Sequence, residues 1–182
     1  GIVMNLTLLG TGNATVTHCY NTCFVLHESG QYLLVDGGGG NGLLCQLEKA
    51  HLRWQDMRTV FVTHKHMDHL LGILWLMRMM CQSWRRGTYE GEAVIYGHDE
   101  VISLLRTMGK ALLSSKDSAF LDDRLHLVTV TDGETRQLMG HDVIFFRYSF
   151  DCRGAAPVPL APLAQAPPNV GCWLVFHRTH PR

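Results

Sequence analysis

The sequence has no excess of either charge. Lys plus Arg and Asp plus Glu number 16 each, so the chain carries no global electrostatic footprint for nucleic acid or for an anionic membrane. It also lacks an apolar run near the roughly 18 residues that span a bilayer, and its N-terminus lacks a signal-peptide pattern. With 182 residues, 46% hydrophobic and 18% charged, the composition is typical of one globular domain. These features exclude a disordered or collagen-like chain and predict a protein without membrane contact.

Paired cysteine motifs are absent as well. None of the cysteines forms a C-x-x-C pair, and all lie in apolar segments: Cys19, Cys23, Cys45, Cys81, Cys152 and Cys172. This usage favours reduced, buried thiols in a cytoplasmic protein, and a disulfide framework is the alternative.

Proline is missing from residues 1–156, and every proline of the chain follows that segment. From Arg147 to the end there is also no Lys and no Glu. Residues 155–168 show neither helical nor strand periodicity, which predicts an extended or irregular segment. We therefore divide the chain into a domain at residues 1–146 and an irregular, Pro-rich tail at residues 147–182.

Apolar periodicity in the first part predicts both strands and helices. Strands are expected at 4–9, 23–27, 32–36, 59–63, 93–96, 125–131 and 142–146, and helices at 43–51, 70–80 and 99–108. The segment TVFVT at 59–63 is apolar throughout, which suits burial on both faces. Strands first, then alternating helices and strands, indicate a layered α/β (α+β) architecture in which helices cover a sheet.

A histidine cluster follows this apolar strand. His64, His66, Asp68 and His69 form the pattern H-x-H-x-D-H directly before a predicted helix. Alternate side chains of an extended segment point the same way, so His64 and His66 can bind one metal ion together. Asp68 and His69 fall where the chain turns into the helix and face a second point nearby. The motif predicts two adjacent metal half-sites that hold a bridging hydroxide for hydrolysis, and a His-rich surface loop is the alternative.

This motif and its surroundings resemble the metallo-β-lactamase fold superfamily. The resemblance extends over residues 4–146 and includes Asp36 followed by two glycines at the end of a predicted strand. Within the superfamily the sequence is most similar to the ribonuclease Z-like phosphodiesterase branch, through LGTGNA at 9–14 and VIYG at 94–97. The resemblance implies an αββα sandwich, of which mainly the N-terminal half is present.

The resemblance also implies roles for individual residues. His64 and His66 would bind one metal ion, and Asp68 and His69 a second. Asp68 would in addition be the catalytic residue that orients or deprotonates the bridging water. Asp36 would hold the ligand loop in place from behind, and simple turn chemistry before glycine is the alternative.

The implied cofactor is a pair of Zn²⁺ ions, with Mn²⁺ or Fe²⁺ as alternatives. The implied substrate is a small-molecule or nucleic-acid phosphodiester. A lactam, thioester or sulfate-ester hydrolase on the same fold is one alternative, because the fold does not determine the substrate. A non-catalytic, metal-binding remnant is another.

Members of the superfamily supply three further ligands downstream, and the segment after Phe146 offers no match to them. We therefore expect an incomplete domain, truncated or altered by a change of reading frame near Phe146, a hypothesis that sequencing of the source gene tests. A natural short form with an interacting tail is the alternative. The incomplete site predicts weak zinc binding and little hydrolysis, and an unpaired sheet edge favours aggregation or a homodimer.

Other polar residues are weaker candidates. Ordinary loop or core packing is favoured for three residues that could otherwise line a substrate cleft: His18, Asn21 and Cys23. A small basic group that could contact phosphate, or simply end a solvated helix, consists of Arg78, Arg85 and Arg86. Ordinary packing is favoured for two isolated histidines, His98 and His126. The glycines at 37–40 lack the G-x-G-x-x-G spacing, which predicts tight passage of the backbone beside the metals and not a phosphate cradle.

Overall fold

The fold contains two β-sheets in the computed structural model, which describes residues 3–149 and 170–177. The strands are β1 (Asn5–Gly10), β2 (Cys23–Glu28), β3 (Gln31–Val35), β4 (Thr59–Phe61), β5 (Ala93–Gly97), β6 (Leu125–Thr129), β7 (Thr135–Leu138), β8 (His141–Ser149) and β9 (Val170–His177). The helices are α1 (Gly42–Lys49), α2 (Met67–Arg85), α3 (Asp99–Leu112) and the single turn α4 (Ser115–Ser118), with a 3-10 turn at Trp54–Asp56.

The larger sheet is mixed and has the order β1-β2-β3-β4-β5-β6. β1, β2 and β3 are antiparallel, whereas β3 through β6 run parallel. β2 and β3 are joined by Ser29 and Gly30, which both have positive φ, as a two-residue hairpin turn requires. The pairs Leu34–Val60 and Val35–Phe61 place β3 beside β4. One sheet therefore contains both segments, as the expected layered architecture requires.

Helices α1, α2 and α3 cover one face of the larger sheet. The buried positions of α2 recur at helical spacing, from Leu70 through Ile73, Met77 and Met80 to Trp84. α2 is longer than the predicted segment 70–80, because the helix already begins at Met67 within the histidine motif and its buried positions continue to Trp84. Apolar side chains of the parallel strands face this stripe and form the main core.

The smaller sheet, in the order β7-β8-β9, packs on the opposite face of the larger sheet. Phe145 of β8 lies against Phe61 of β4, with the ring centroids 5.5 Å apart. Val143 of β8 and Leu33 and Val35 of β3 belong to the same buried cluster. Helices, a six-stranded sheet and a three-stranded sheet therefore form successive layers, in agreement with the predicted layered α/β sandwich.

The C-terminal segment differs from the sequence-based expectation. β9 pairs antiparallel with β8 over eight positions, so the expectation of an irregular tail is wrong for Val170–His177. Cys172, Leu174 and Phe176 alternate along β9 and pack into the cluster between the sheets, and this burial stabilises a strand despite the unusual composition. β8 also continues past residue 146. Residues 150–169 lie outside the described part of the chain.

The cysteine prediction is confirmed in part. Cys23 and Cys81 are buried free thiols and Cys172 is buried as well, whereas Cys19 and Cys45 are free but exposed. Cys19 lies in a loop and Cys45 on the outer side of α1, so an apolar neighbourhood in the sequence did not imply burial. Cys152 lies outside the described residues.

Among the residues described, no helix combines the length and apolar character needed to cross a membrane.

Candidate metal centre

The candidate site lies where β3 and β4 end. Asp36 directly follows β3, and the segment from Thr63 to His66 follows β4 and leads into α2. Because the two strands are parallel neighbours, their carboxyl ends meet at one edge of the sheet. Asp68 and His69 lie in the first turn of α2 and therefore face the same edge.

The histidine side chains of this edge form one compact cluster. The ring of His64 lies 4.7 Å from that of His66 and 4.1 Å from that of His69, measured between centroids. Oδ2 of Asp68 lies 3.2 Å from Nε2 of His69. Asp36, His64 and His69 each contribute one potential ligand atom, and these three atoms lie within 4.8 Å of one another. The structure thus brings together all five residues that the sequence singled out.

Asp36 connects the two strand ends. It is buried and non-glycine, yet it has a φ of 59°, a conformation that costs free energy and needs support from its surroundings. Its Oδ1 accepts a hydrogen bond from the Thr63 amide (2.8 Å), and its Oδ2 accepts one from Thr63 Oγ1 (2.7 Å). Oδ2 also lies 2.8 Å from Nδ1 of His69. The carboxylate therefore holds the ligand loop and the orientation of one imidazole together.

The surroundings of His64 favour its neutral form. Burial, and to a smaller extent the neighbouring His69, His66 and His98, together lower the pKa of His64 to about 3. Burial also acts to lower the pKa of His69, but the hydrogen bond to Asp36 and the charges of Asp36 and Asp68 outweigh it and raise this pKa. A neutral imidazole has the lone pair that a metal ion requires. The donor set of imidazole nitrogens and carboxylate oxygens fits a zinc-type ion.

The three residues whose ligand atoms lie closest together are Asp36, His64 and His69. This group differs from the pairing that the family resemblance implies, because it contains Asp36 in place of His66 and Asp68. Both oxygens of Asp36 already accept hydrogen bonds or face His69. This carboxylate is therefore positioned to orient the ligand side chains through hydrogen bonds, on the side away from the ion. His64, His66, Asp68 and His69 are the side chains left to bind an ion directly.

The glycine segment packs tightly against α2. A Cβ added at Gly72 would lie 1.8 Å from the carbonyl oxygen of Gly37, so helix and loop are in direct backbone contact. The Gly37 amide donates to the carbonyl of His69, and the Gly72 amide donates to that of Gly38, both at 2.9 Å. The Tyr20 hydroxyl donates to the carbonyls of Gly37 and Gly40. The predicted tight backbone passage beside the cluster is confirmed.

The weaker candidates have other surroundings. Asn21 holds the loop by accepting from the Gly39 amide and donating to a backbone carbonyl. Cys23 is fully buried, and burial raises its thiol pKa to about 12. His18 is exposed, and His126 lies 3.4 Å from Glu92 on β6. The charge of Asp36 also contributes to the raised pKa of the Cys23 thiol, so Cys23 lies within electrostatic range of the cluster.

His98 is closer to the cluster than its isolated position in the sequence indicates. It follows β5, the parallel neighbour of β4, and acts electrostatically on His64. It is 2% exposed, and among the described residues its Nε2 has no hydrogen-bond partner. Burial lowers its pKa. Its position at the end of a strand was the one signal in the sequence that could have revealed this proximity.

Comparison with known proteins decides the family. The family model described as Anti-Pycsar protein Apyc1 matches residues 4–150, which is well over half of the chain. The chain belongs to the Anti-Pycsar protein Apyc1 family.

Among curated relatives of this Apyc1-family chain is ribonuclease Z of Borrelia duttonii, which is 32% identical over 80 residues, or 43% of the chain and 24% of that protein. Ribonuclease Z of Nitrosopumilus maritimus is 27% identical over 155 residues, or 81% of the chain and 49% of that protein. The chain thus spans about a quarter and about half of the length of these two relatives.

Solved structures show the same fold. The metallo-β-lactamase fold protein YhfI from Bacillus subtilis matches with a TM-score of 0.66 and 16% identity, over 96% of the Apyc1-family chain and 58% of YhfI. Human tRNase Z, short form (ELAC1), matches with a TM-score of 0.56 and 20% identity, over 94% of the chain and 63% of that protein. The metallo-β-lactamase fold and the similarity to ribonuclease Z, both expected from the sequence, are therefore confirmed.

Proposed function

We propose that this chain carries the metal centre of a metal-dependent hydrolase whose substrate is a phosphodiester. The observation that carries the proposal is the convergence of His64, His66, Asp68 and His69 at one sheet edge, with Asp36 behind them. The curated relatives named ribonuclease Z support a phosphodiester over other esters, in a nucleic acid or in a small molecule.

The proposed ligand assignment is the one that the family resemblance implies. His64 and His66 would bind one ion through their imidazole nitrogens, and Asp68 and His69 a second. Zn²⁺ suits this nitrogen and oxygen donor set, and Mn²⁺ and Fe²⁺ are alternatives. A bound divalent ion supplies a water ligand of near-neutral pKa and offsets the negative charge of a phosphodiester.

The protein side chains contribute proton transfer and orientation. As water attacks phosphorus and the bond to the leaving oxygen breaks, the Asp68 carboxylate is the group that accepts the proton of the attacking water. Asp68 belongs to the first turn of α2, whose positive dipole end favours an anionic substrate at this edge. Asp36 keeps His69 in a single orientation throughout.

The decisive experiment measures metal content and diesterase activity on the same protein. The four side chains provide two ligands for each ion, where three or four are usual, so we expect weak, substoichiometric zinc binding and slow hydrolysis of bis-p-nitrophenyl phosphate. His64→Ala and His66→Ala remove bound zinc, whereas His126→Ala, outside the cluster, keeps it. Equal zinc content in all three variants would contradict the assignment. Two tightly bound ions with full turnover would show that a partner chain or the tail supplies further ligands.

Two alternatives give different results in a substrate panel. Turnover of a thioester, a β-lactam or a sulfate ester in preference to the phosphodiester indicates another hydrolase on the same fold. Zinc binding without turnover of any ester indicates a non-catalytic metal-binding protein.

Stable self-association in sedimentation experiments supports the proposed homodimer.

The thiols of the chain support a cytoplasmic location, which is also a proposal. Cys19 and Cys45 are exposed and free, and exposed free thiols persist in reducing compartments. Rapid alkylation in the source cells followed by peptide mapping measures their state. Oxidised Cys19 and Cys45 would contradict this location.

A further inference from the structure

His98 is a buried histidine that has one ring nitrogen without a partner. The residue is 2% exposed, and its Nδ1 lies 3.4 Å from Oδ1 of Asp99. Its Nε2 is buried as well and has no hydrogen-bond partner among the described residues. Such an atom costs free energy, and in native proteins a bound ion, an ordered water or a catalytic role usually explains it.

The Nε2 atom of His98 can bind a cation, in contrast to the other buried nitrogens that lack a partner. In the described part of the chain these are Trp84 Nε1, Arg136 Nε and Arg147 Nε, and each of them carries a hydrogen and can only donate. A neutral imidazole has a lone pair on one of its two nitrogens. Because the Asp99 carboxylate faces Nδ1, it favours the hydrogen on that atom and leaves the lone pair on Nε2.

The pair of Asp99 and His98 repeats the arrangement of Asp36 and His69. In both pairs a carboxylate oxygen faces Nδ1 of the imidazole and leaves Nε2 on the other side of the ring. This arrangement orients metal-binding imidazoles. Arg147 of β8 donates from Nη2 to Oδ1 of Asp99 at 3.1 Å, so the carboxylate is held by a second strand. A cation bound at Nε2 would draw charge from the ring and strengthen the contact at Nδ1, which is longer than that of His69.

The strand register brings His98 to the edge of the sheet that holds the histidine cluster. Phe61 of β4 pairs with Tyr96 of β5. Continued by two residues, this parallel register places Thr63 level with His98. Oγ1 of Thr63 lies 2.8 Å from Nδ1 of His64. His98 also contributes to the lowered pKa of His64, so the two imidazoles lie within electrostatic range of each other.

The motif alone provides fewer ligands than a zinc ion usually has. His64 and His66 would give one ion two protein ligands, where three or four are usual. We propose that Nε2 of His98 is the third imidazole ligand of the ion that His64 and His66 bind. The inference rests on the proposed function, because it takes those two histidines as ligands of one ion. This ion should then be retained at zinc concentrations at which the ion of Asp68 and His69 is lost.

The test measures zinc affinity without any substrate, by competition with a chromophoric chelator. His98→Gln keeps a side chain of similar size that forms hydrogen bonds, but it has no imidazole nitrogen. We expect it to lower zinc affinity about 100-fold or more, which is the upper end of the loss caused by removing a hydrogen bond to a ligand. His126→Gln is the matched control, because His126 lies on β6 and contacts Glu92. It should leave the affinity unchanged.

Two further measurements separate a metal ligand from a structural residue. Urea denaturation of the metal-free protein should show that His98→Leu is as stable as wild type, because it removes an unpartnered buried nitrogen. The increase in stability on adding zinc should be smaller in this variant. The visible absorption bands of bound Co²⁺ depend on its ligands, so they should change in His98→Gln and not in His126→Gln.

The outcomes distinguish the ligand assignment from the proposed function. If the protein hydrolyses no diester but His98→Gln loses zinc affinity, the proposed reaction fails and the ligand assignment stands. Equal zinc affinity in His98→Gln and wild type overturns the assignment, whether or not a diester is hydrolysed. Unchanged Co²⁺ bands in His98→Gln would also overturn it, as would a less stable metal-free His98→Leu with an unchanged response to zinc. Wild-type protein that binds neither zinc nor Co²⁺ would overturn both proposals.

Discussion

Oδ2 of Asp36 lies 2.8 Å from Nδ1 of His69, and the same carboxylate accepts two hydrogen bonds from Thr63. A buried carboxylate in this position leaves Nε2 of His69 facing the cluster. Hydrogen bonds of this kind orient metal-binding imidazoles and increase their basicity. The relationship joins the ends of β3 and β4 to the first turn of α2.

Replacement of Asp36 by Asn is expected to lower zinc affinity about 10- to 100-fold. The amide has one acceptor atom where the carboxylate has two, so it cannot serve both Thr63 and His69. Competition with a chromophoric chelator measures the affinity. Asp123→Asn, on an exposed residue, is the control and should leave the affinity unchanged. Equal affinities for the two variants would mean that Asp36 is only a turn residue.

Gly72→Ala is expected to destabilise the protein by about 1–3 kcal/mol or more, because the new methyl group would lie 1.8 Å from the Gly37 carbonyl oxygen. The helix or the loop must then move. Gly40→Ala, in the same loop, adds a methyl group with no neighbour within 4 Å and should change stability by less than about 0.5 kcal/mol. Urea denaturation measures both variants. Similar losses in the two would argue against the close backbone contact.

The ion pair between the buried carboxylate of Asp117 and the exposed Arg85 gives a pH-dependent prediction. Burial by itself raises the pKa of Asp117, but hydrogen bonds from Arg85 and Ser114 outweigh burial and hold this pKa below its ordinary value. The stabilisation is therefore complete above the unfolded carboxyl pKa of roughly 4, and is lost as pH falls through the lower folded value.

Asp117→Asn should accordingly lower the free energy of unfolding by about 1–2 kcal/mol at neutral pH. The difference from wild type should shrink as pH falls below about 4. Urea denaturation at several pH values measures this difference, and Asp123→Asn serves as the control. A difference that stays constant down to the acid transition would contradict the prediction.

The edge strand β1 exposes two large apolar side chains, Leu6 at 58% and Leu8 at 59%. The register pairs them with Leu26 and Phe24, on the face of the larger sheet that the smaller sheet covers elsewhere. An exposed apolar edge promotes association between chains. We therefore expect concentration-dependent association of the isolated chain.

Replacing Leu6 and Leu8 together by Thr should reduce this association while keeping the preference for a strand. Sedimentation velocity over a range of concentrations measures the effect. Val175→Thr is the control, because Val175 is also exposed but belongs to β9 of the smaller sheet and not to β1. Unchanged association of the double variant would assign the contact to another surface.

Local sequence patterns determined much of this protein. The apolar strand at 59–63 was identifiable because the burial of a strand is reflected in the pattern of its neighbouring residues. The H-x-H-x-D-H motif was identifiable for the same reason, since its four side chains lie within six positions of one another. The layered α/β class and the cluster of residues that would hold a metal ion follow from such short-range signals.

Only the tertiary structure decided the contacts between distant segments. β9 is a strand because its alternate side chains pack between the sheets, and its unusual composition obscured that pattern. His98 acts electrostatically on His64, and Gly39 lies beside Asp68, because parallel strand ends and loops meet at one edge of the sheet. These contacts depend on strand order and helix packing. Strand order is a property of the whole folded chain, because any strand can pair with several others until the core selects one arrangement.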